Sequence, residues 1–242
     1  MGMERLAMKR PVDPPLAAES DANDEGLDVV IAQVKPRLRG WLHAVTAPLA
    51  AAAGIVLVVL APTSAGKIGG AVFLAASLLL FGTSGLYHRF AWGPRGEALL
   101  RRMDHANIYV FIAATYTPLA LLALPPASRN VLLVLIWTAA LVGLGFRLIW
   151  LDAPRWLYTA LYLLMGWAAV GWLPQIYVNG GPAVFYLIIA GGVLYTAGAI
   201  VYGRKRPNPW PAWFGFHEIF HSCTILAFVA HYIAISILTY AG

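Results

Sequence analysis

The stretch WLYTALYLLMGWAAVGWLPQIYVNGGPAVFYLIIAGGVLYTAGAIVYG, residues 156–203, contains no Asp, Glu, Lys or Arg. A membrane-spanning helix needs about 20 mostly apolar residues, so the stretch is too long for one crossing. Pro174 and the run Asn179-Gly180-Gly181-Pro182 supply the turn that divides it into spans at 156–174 and 182–202. Further apolar runs flank it at 41–61, 68–88, 106–124, 130–149 and 219–240. Composition agrees: 60% of the 242 residues are hydrophobic and only 12% are charged, where soluble domains carry about 25% charged residues. Mean hydropathy is +0.70. Too few charges remain to clothe a soluble surface. The sequence therefore predicts an all-α integral membrane protein: a seven-transmembrane-helix bundle over residues 37–242, preceded by a tail over 1–36.

The formal net charge of +6 does not point to nucleic acid, because the basic residues fall in short clusters between apolar runs. With seven spans, all of the 17 Lys and Arg except Lys67 and Arg129 fall on the same side of the membrane as the N-terminus. The positive-inside rule then places the N-terminus in the cytoplasm and the C-terminus outside. Arg147, at the end of the fourth span, is expected to snorkel to the headgroups. Residues 1–36 lack the apolar core of a cleaved signal. Up to Gly26 they read as a disordered tail, and 27–36 as a short amphipathic helix on the inner surface. The single Cys223 excludes an intramolecular disulfide framework and any zinc site built from several cysteines. Lys9, Lys35, Lys67 and Lys205 all lie outside the spans, which leaves a retinal-type pump without its Schiff-base lysine.

The four acids beyond the tail are Glu97 and Asp152, read as loop residues, and Asp104 and Glu218 at helix ends. His217-Glu218-Ile219-Phe220-His221 opens the seventh span with two histidines at i and i+4, on one helical face. The string also matches the H-E-x-x-H pattern of zinc proteases. The alternative is a pair of interfacial histidines bonded to neighbouring helices. A zinc ion held by two histidines needs a third ligand. His88, at the cytoplasmic end of the second span, lies at the same depth; on its own it would read as a headgroup contact. Asp104 reads either as an N-cap of the third span or, beside a metal, as the acceptor for a water proton. Ser84, one turn deeper than His88, reads as a substrate or water contact, or as a small polar residue at a helix contact. His43, near the cytoplasmic start of the first span, reads as a headgroup contact or, alternatively, as a neighbour supporting the metal ligands. His105 points about 100° away from Asp104. His231 lies roughly 15 Å along the helix from His221, too far to share its site. Cys223 reads as packing.

Several pieces together resemble the hemolysin III family, the bacterial branch of the progestin and adiponectin receptor superfamily. They are Pro36-Arg37-Leu38-Arg39-Gly40, Ser84 with Tyr87, His88 and Arg89, Asp104-His105 followed by Ala114-Thr115-Tyr116-Thr117-Pro118, and His217 to His221. The resemblance implies seven helices with the N-terminus inside, and a Zn2+ site near the cytoplasmic leaflet like that of related receptors and of the similar alkaline ceramidases. It assigns His88, His217 and His221 as ligands, Asp104 as the aspartate engaging water, and Ser84 as the nearby serine. Glu218 differs from the receptor members, which carry a neutral residue there.

The resulting expectation is a multi-pass protein of the inner cell membrane that hydrolyses an amide or ester of a membrane lipid. The alternatives are a receptor-like or membrane-homeostasis protein with structural zinc, and a cytolytic hemolysin.

Overall fold

A computed structural model describes residues 36–241. The expected disordered tail, and the surface helix over 27–36 except Pro36, lie outside the described residues. Seven α-helices follow in order: α1 (Trp41–Leu60), α2 (Ser64–Arg89), α3 (Pro94–Ala123), α4 (Pro126–Ile149), α5 (Arg155–Gly166), α6 (Leu173–Arg204) and α7 (Phe216–Ala241). A 3₁₀ turn, Ala168–Trp172, joins α5 to α6. Among the described residues the only β pairing is a single bridge between Trp210 and Phe214.

Several helix starts follow from local chemistry. The Thr63 hydroxyl accepts a hydrogen bond from the Gly66 N–H and caps α2. Pro94 and Pro126 open α3 and α4, where a missing N–H costs nothing. α3 begins at Pro94 rather than near residue 106. The apolar run marks the depth of hydrocarbon, whereas the helix continues beyond it, exposing Arg95, Glu97, Arg101 and Arg102. Two expectations are thereby corrected. Glu97 lies in the first helical turn and not in a loop. Asp104 lies well inside α3, so it is no N-cap.

Among the described residues, six segments are long and apolar enough to cross a membrane, and Arg155–Arg204 counts as one of them at 50 residues. That segment is not one straight rod. Gly181 (φ 79°, ψ 169°) breaks α6, in a backbone region open essentially only to glycine. The Arg155 guanidinium donates to the Tyr202 carbonyl, and the Trp167 indole N–H donates to the Thr196 hydroxyl at 3.1 Å. Residue numbers rise along one arm as they fall along the other.

The helices α1, α2, α3 and α4 pack in succession, α6 packs on α7, and α7 returns to α1. The central helix is α3, with 72% of its apolar stretch inside the protein. Cross-helix hydrogen bonds fix the order. The Asn107 amide donates to the Leu79 carbonyl and the Thr83 hydroxyl, both at 3.1 Å, and the Tyr232 hydroxyl donates to the Ala53 carbonyl at 3.0 Å. Phe73, Phe81, Phe111 and Phe228 interleave between α2, α3 and α7. The outer faces stay apolar, with Val134 at 69%, Leu164 at 71% and Val178 at 78% exposure. Acyl chains, not water, suit such a surface.

Arg147 departs from expectation. It does not snorkel: it is 1% exposed, donates to the Trp150 and Leu151 carbonyls at 3.2 and 2.9 Å, and lies 4.6 Å from the Tyr158 ring centre. Both carbonyls lie just past the end of α4 at Ile149, so the guanidinium is used as a buried cap beyond its C-terminus.

Candidate metal centre

His88 comes from the last turn of α2, and His217 and His221 from the first two turns of α7. One ring nitrogen from each lies within 4.8 Å of the other two. His217 Nε2 is 3.3 Å from His88 Nε2. Tetrahedral coordination with bonds of about 2.0–2.1 Å separates ligand atoms by about 3.3–3.4 Å. The His88–His217 separation therefore matches a small four-coordinate cation, and imidazole suits a borderline divalent ion. His88 and His221 are buried and His217 half-buried. The three histidines can hold one metal ion between helices far apart in sequence.

Asp104 Oδ2 lies 3.5 Å from His88 Nε2. Ser84, 2% exposed, lies close to the same carboxylate. The five residues singled out in the sequence thus meet at one end of the bundle. His105 turns aside, with Nδ1 2.7 Å from the Arg101 carbonyl and its other nitrogen towards the Tyr202 hydroxyl. Cys223 is half-buried, with its Cβ towards Gly198.

Glu218, between the two histidines in sequence, has neither oxygen free. Oε1 accepts from the Arg39 Nε–H, and Oε2 accepts from the Gly215 N–H at 2.9 Å. It is 1% exposed and fastens the segment before α1 to the start of α7. Both oxygens are engaged in structural contacts, which argues against the protease-like role suggested by the H-E-x-x-H pattern.

Two neighbours complete the surroundings, the first only an alternative in the sequence and the second unread there. His43 is not at the headgroups: it is 3% exposed and stacks on His221, with ring centres 3.7 Å apart and planes 7° from parallel. Gly40 precedes α1 with φ 83°, and a Cβ there would lie 2.9 Å from the His88 and Arg89 backbone. Its lack of a side chain lets the end of α2 approach. The available signal was the Arg39-Gly40 pair immediately before an apolar run, which marks a helix entry needing an unusual backbone.

The site opens into a cavity with about 1450 Å³ of empty space inside and at its mouth. The lining is mostly apolar, including Leu80, Ile108, Phe111 and Leu163, while Ser84, Asp104 and His221 line it at the metal end.

The sequence profile described as "Haemolysin-III related" matches residues 31–232. The chain is 35% identical over 146 residues to "Hemolysin-3 homolog" of Bacillus subtilis (strain 168), covering 60% of this chain and 68% of that protein. It is 33% identical over 175 residues to "Hemolysin-3" of Bacillus cereus, covering 71% and 80%. It is 31% identical over 183 residues to "Heptahelical transmembrane protein ADIPOR2" of Oryza sativa subsp. japonica, covering 69% and 80%. Matched along most of its length, and carrying its histidines where this architecture gathers them, the chain belongs to the hemolysin III family of the progestin and adiponectin receptor superfamily.

Proposed function

We propose that this protein is a zinc-dependent hydrolase of the inner cell membrane that cleaves an amide or ester bond of a membrane lipid near the cytoplasmic leaflet. One observation carries the reading: a three-histidine cluster faced by a carboxylate closes one end of a largely apolar cavity. Seven crossings with the N-terminus inside go with this proposal. They are supported by the antiparallel contacts within Arg155–Arg204, by the lysine and arginine bias, and by the word "Heptahelical" in the rice relative's name.

When bound to three protein ligands, zinc polarises a carbonyl oxygen and lowers the pKa of water to about 7. In this reading His88, His217 and His221 hold the ion. Asp104 takes the proton of the attacking water and passes it to the leaving group. Ser84 steadies the Asp104 carboxylate and keeps it aimed at the histidine cluster. The Leu80, Ile108 and Phe111 walls exclude water and receive the apolar part of the lipid, which leaves its polar linkage beside the histidines.

A receptor-like or membrane-homeostasis protein with a structural metal is the second reading. It is favoured by the position of the ligands, which tie α2 to α7. Purified protein assayed for metal and for cleavage of amide-linked and ester-linked lipids separates the two. The hydrolase reading expects zinc in the wild type, with zinc retained in Asp104→Asn and turnover reduced about 10²–10⁴-fold. Zinc-loaded wild type that cleaves neither lipid class overturns it in favour of a structural metal.

A further inference from the structure

Beyond the metal centre the cavity reaches His231 of α7 and Tyr195 of α6. Ten residues of helix separate His231 from His221, about 15 Å, so His231 serves another purpose. It is 9% exposed, and its Nε2 lies 3.3 Å from the Ile188 carbonyl oxygen. A carbonyl only accepts, so Nε2 carries the proton and Nδ1 presents a lone pair. That Nδ1 is buried with no partner. The Tyr195 ring lies 5.6 Å away between centres, and its hydroxyl is also buried without a partner. Gly191 makes the arrangement possible, because a Cβ there would lie 2.3 Å from His231 Nε2.

Unpaired buried polar atoms are rare because their lost hydration is not repaid. Here two side chains that line one cavity and pack against each other carry, in their buried parts, an unpaired acceptor and an unpaired donor. We propose that His231 and Tyr195 form a polar subsite for the hydroxyl group of an otherwise apolar ligand. The hydroxyl donates to His231 Nδ1 and accepts from the Tyr195 O–H. A ketone or ester carbonyl would satisfy Tyr195 alone. A carboxylate or ammonium group would bury a charge with no counter-ion near. The subsite holds its ligand whether or not the metal centre cleaves it.

A trapped water has the same donor and acceptor chemistry, so the test must distinguish it from a lipid hydroxyl. Stearic acid and 12-hydroxystearic acid differ only by a mid-chain hydroxyl. Their affinities for the purified, metal-loaded full chain can be measured by displacement of a fluorescent fatty acid. The subsite predicts roughly tenfold or more tighter binding of the hydroxylated probe. Tyr195→Phe removes only the unpartnered oxygen, so fold, metal content and stearate affinity stay as they were while the preference disappears. Equal affinities for the two probes in the wild type, as expected where only water fills the site, overturn the proposal. So does a preference that survives Tyr195→Phe, or failure of both probes to bind.

Discussion

Between two histidines, Glu218 answers to Arg39 and the Gly215 N–H and not to a metal. Replacing one member of a buried ion pair leaves the other charge uncompensated, which is strongly destabilising. Glu218→Gln is therefore expected to lower stability by about 3 kcal/mol, near the low end for such pairs because Arg39 keeps 19% exposure. A thermal melt checks this, and an unchanged melting temperature would show that the pair is dispensable. The histidines answer to a different measurement. His88→Ala, His217→Ala and His221→Ala should each lose bound metal, read by elemental analysis, while His231→Ala keeps it. Full metal occupancy in His88→Ala would remove α2 from the centre. The three histidines were legible in the sequence as a candidate cluster because i and i+4 share a helix face and because lysine and arginine counts alone brought His88 to the same depth. The surroundings were not legible. Arg39 meets Glu218 across 179 positions of chain, and His43 finds its partner through the close packing of α1 against α7. No local pattern encodes either contact.

At the scale of elements, apolar runs located the spans but not the helix ends. Hydropathy follows the hydrocarbon slab, and a helix can leave that slab without unwinding, as α3 does from Pro94 to about Asp104. Arg147 escaped for a related reason: arginine near a span end usually reaches for headgroups, but here the end of α4 offers carbonyls closer by. The two positive-φ glycines permit a controlled comparison. At Gly181 (φ 79°) an added Cβ would meet nothing within 4 Å, so Gly181→Ala carries only backbone strain, about 1–3 kcal/mol. Gly40 (φ 83°) adds a close approach to the backbone of His88. Gly40→Ala should therefore lower both the melting temperature and the metal affinity, whereas Gly181→Ala lowers the melting temperature alone. Melting curves with and without a chelator read both effects. Equal metal affinity in the two variants would sever Gly40 from the centre.

For the whole molecule, the number of crossings decides whether the termini share a compartment. Six apolar segments are visible by length, and the question rests on Arg155–Arg204. Fifty helical residues would extend about 75 Å, more than twice the roughly 30 Å of hydrocarbon, so a single pass would strand much of an apolar segment in water. A break at Gly181 leaves arms on either side that are each long enough to span. The Asn179 amide donates to the Ala123 carbonyl at 2.8 Å, which puts the bend beside the far end of α3, where its partner α4 begins. In the proposed seven-crossing arrangement, two passes here would put nearly every Lys and Arg on one face, as the positive-inside rule requires. Reporters fused before Met1 and after Gly242 should therefore report opposite compartments, and a reporter inserted at Gly181 should agree with the C-terminal one. Matching compartments at the two termini would mean an even number of crossings. The segment would then pass once, and α7 would have to enter from the opposite face, separating His217 and His221 from His88.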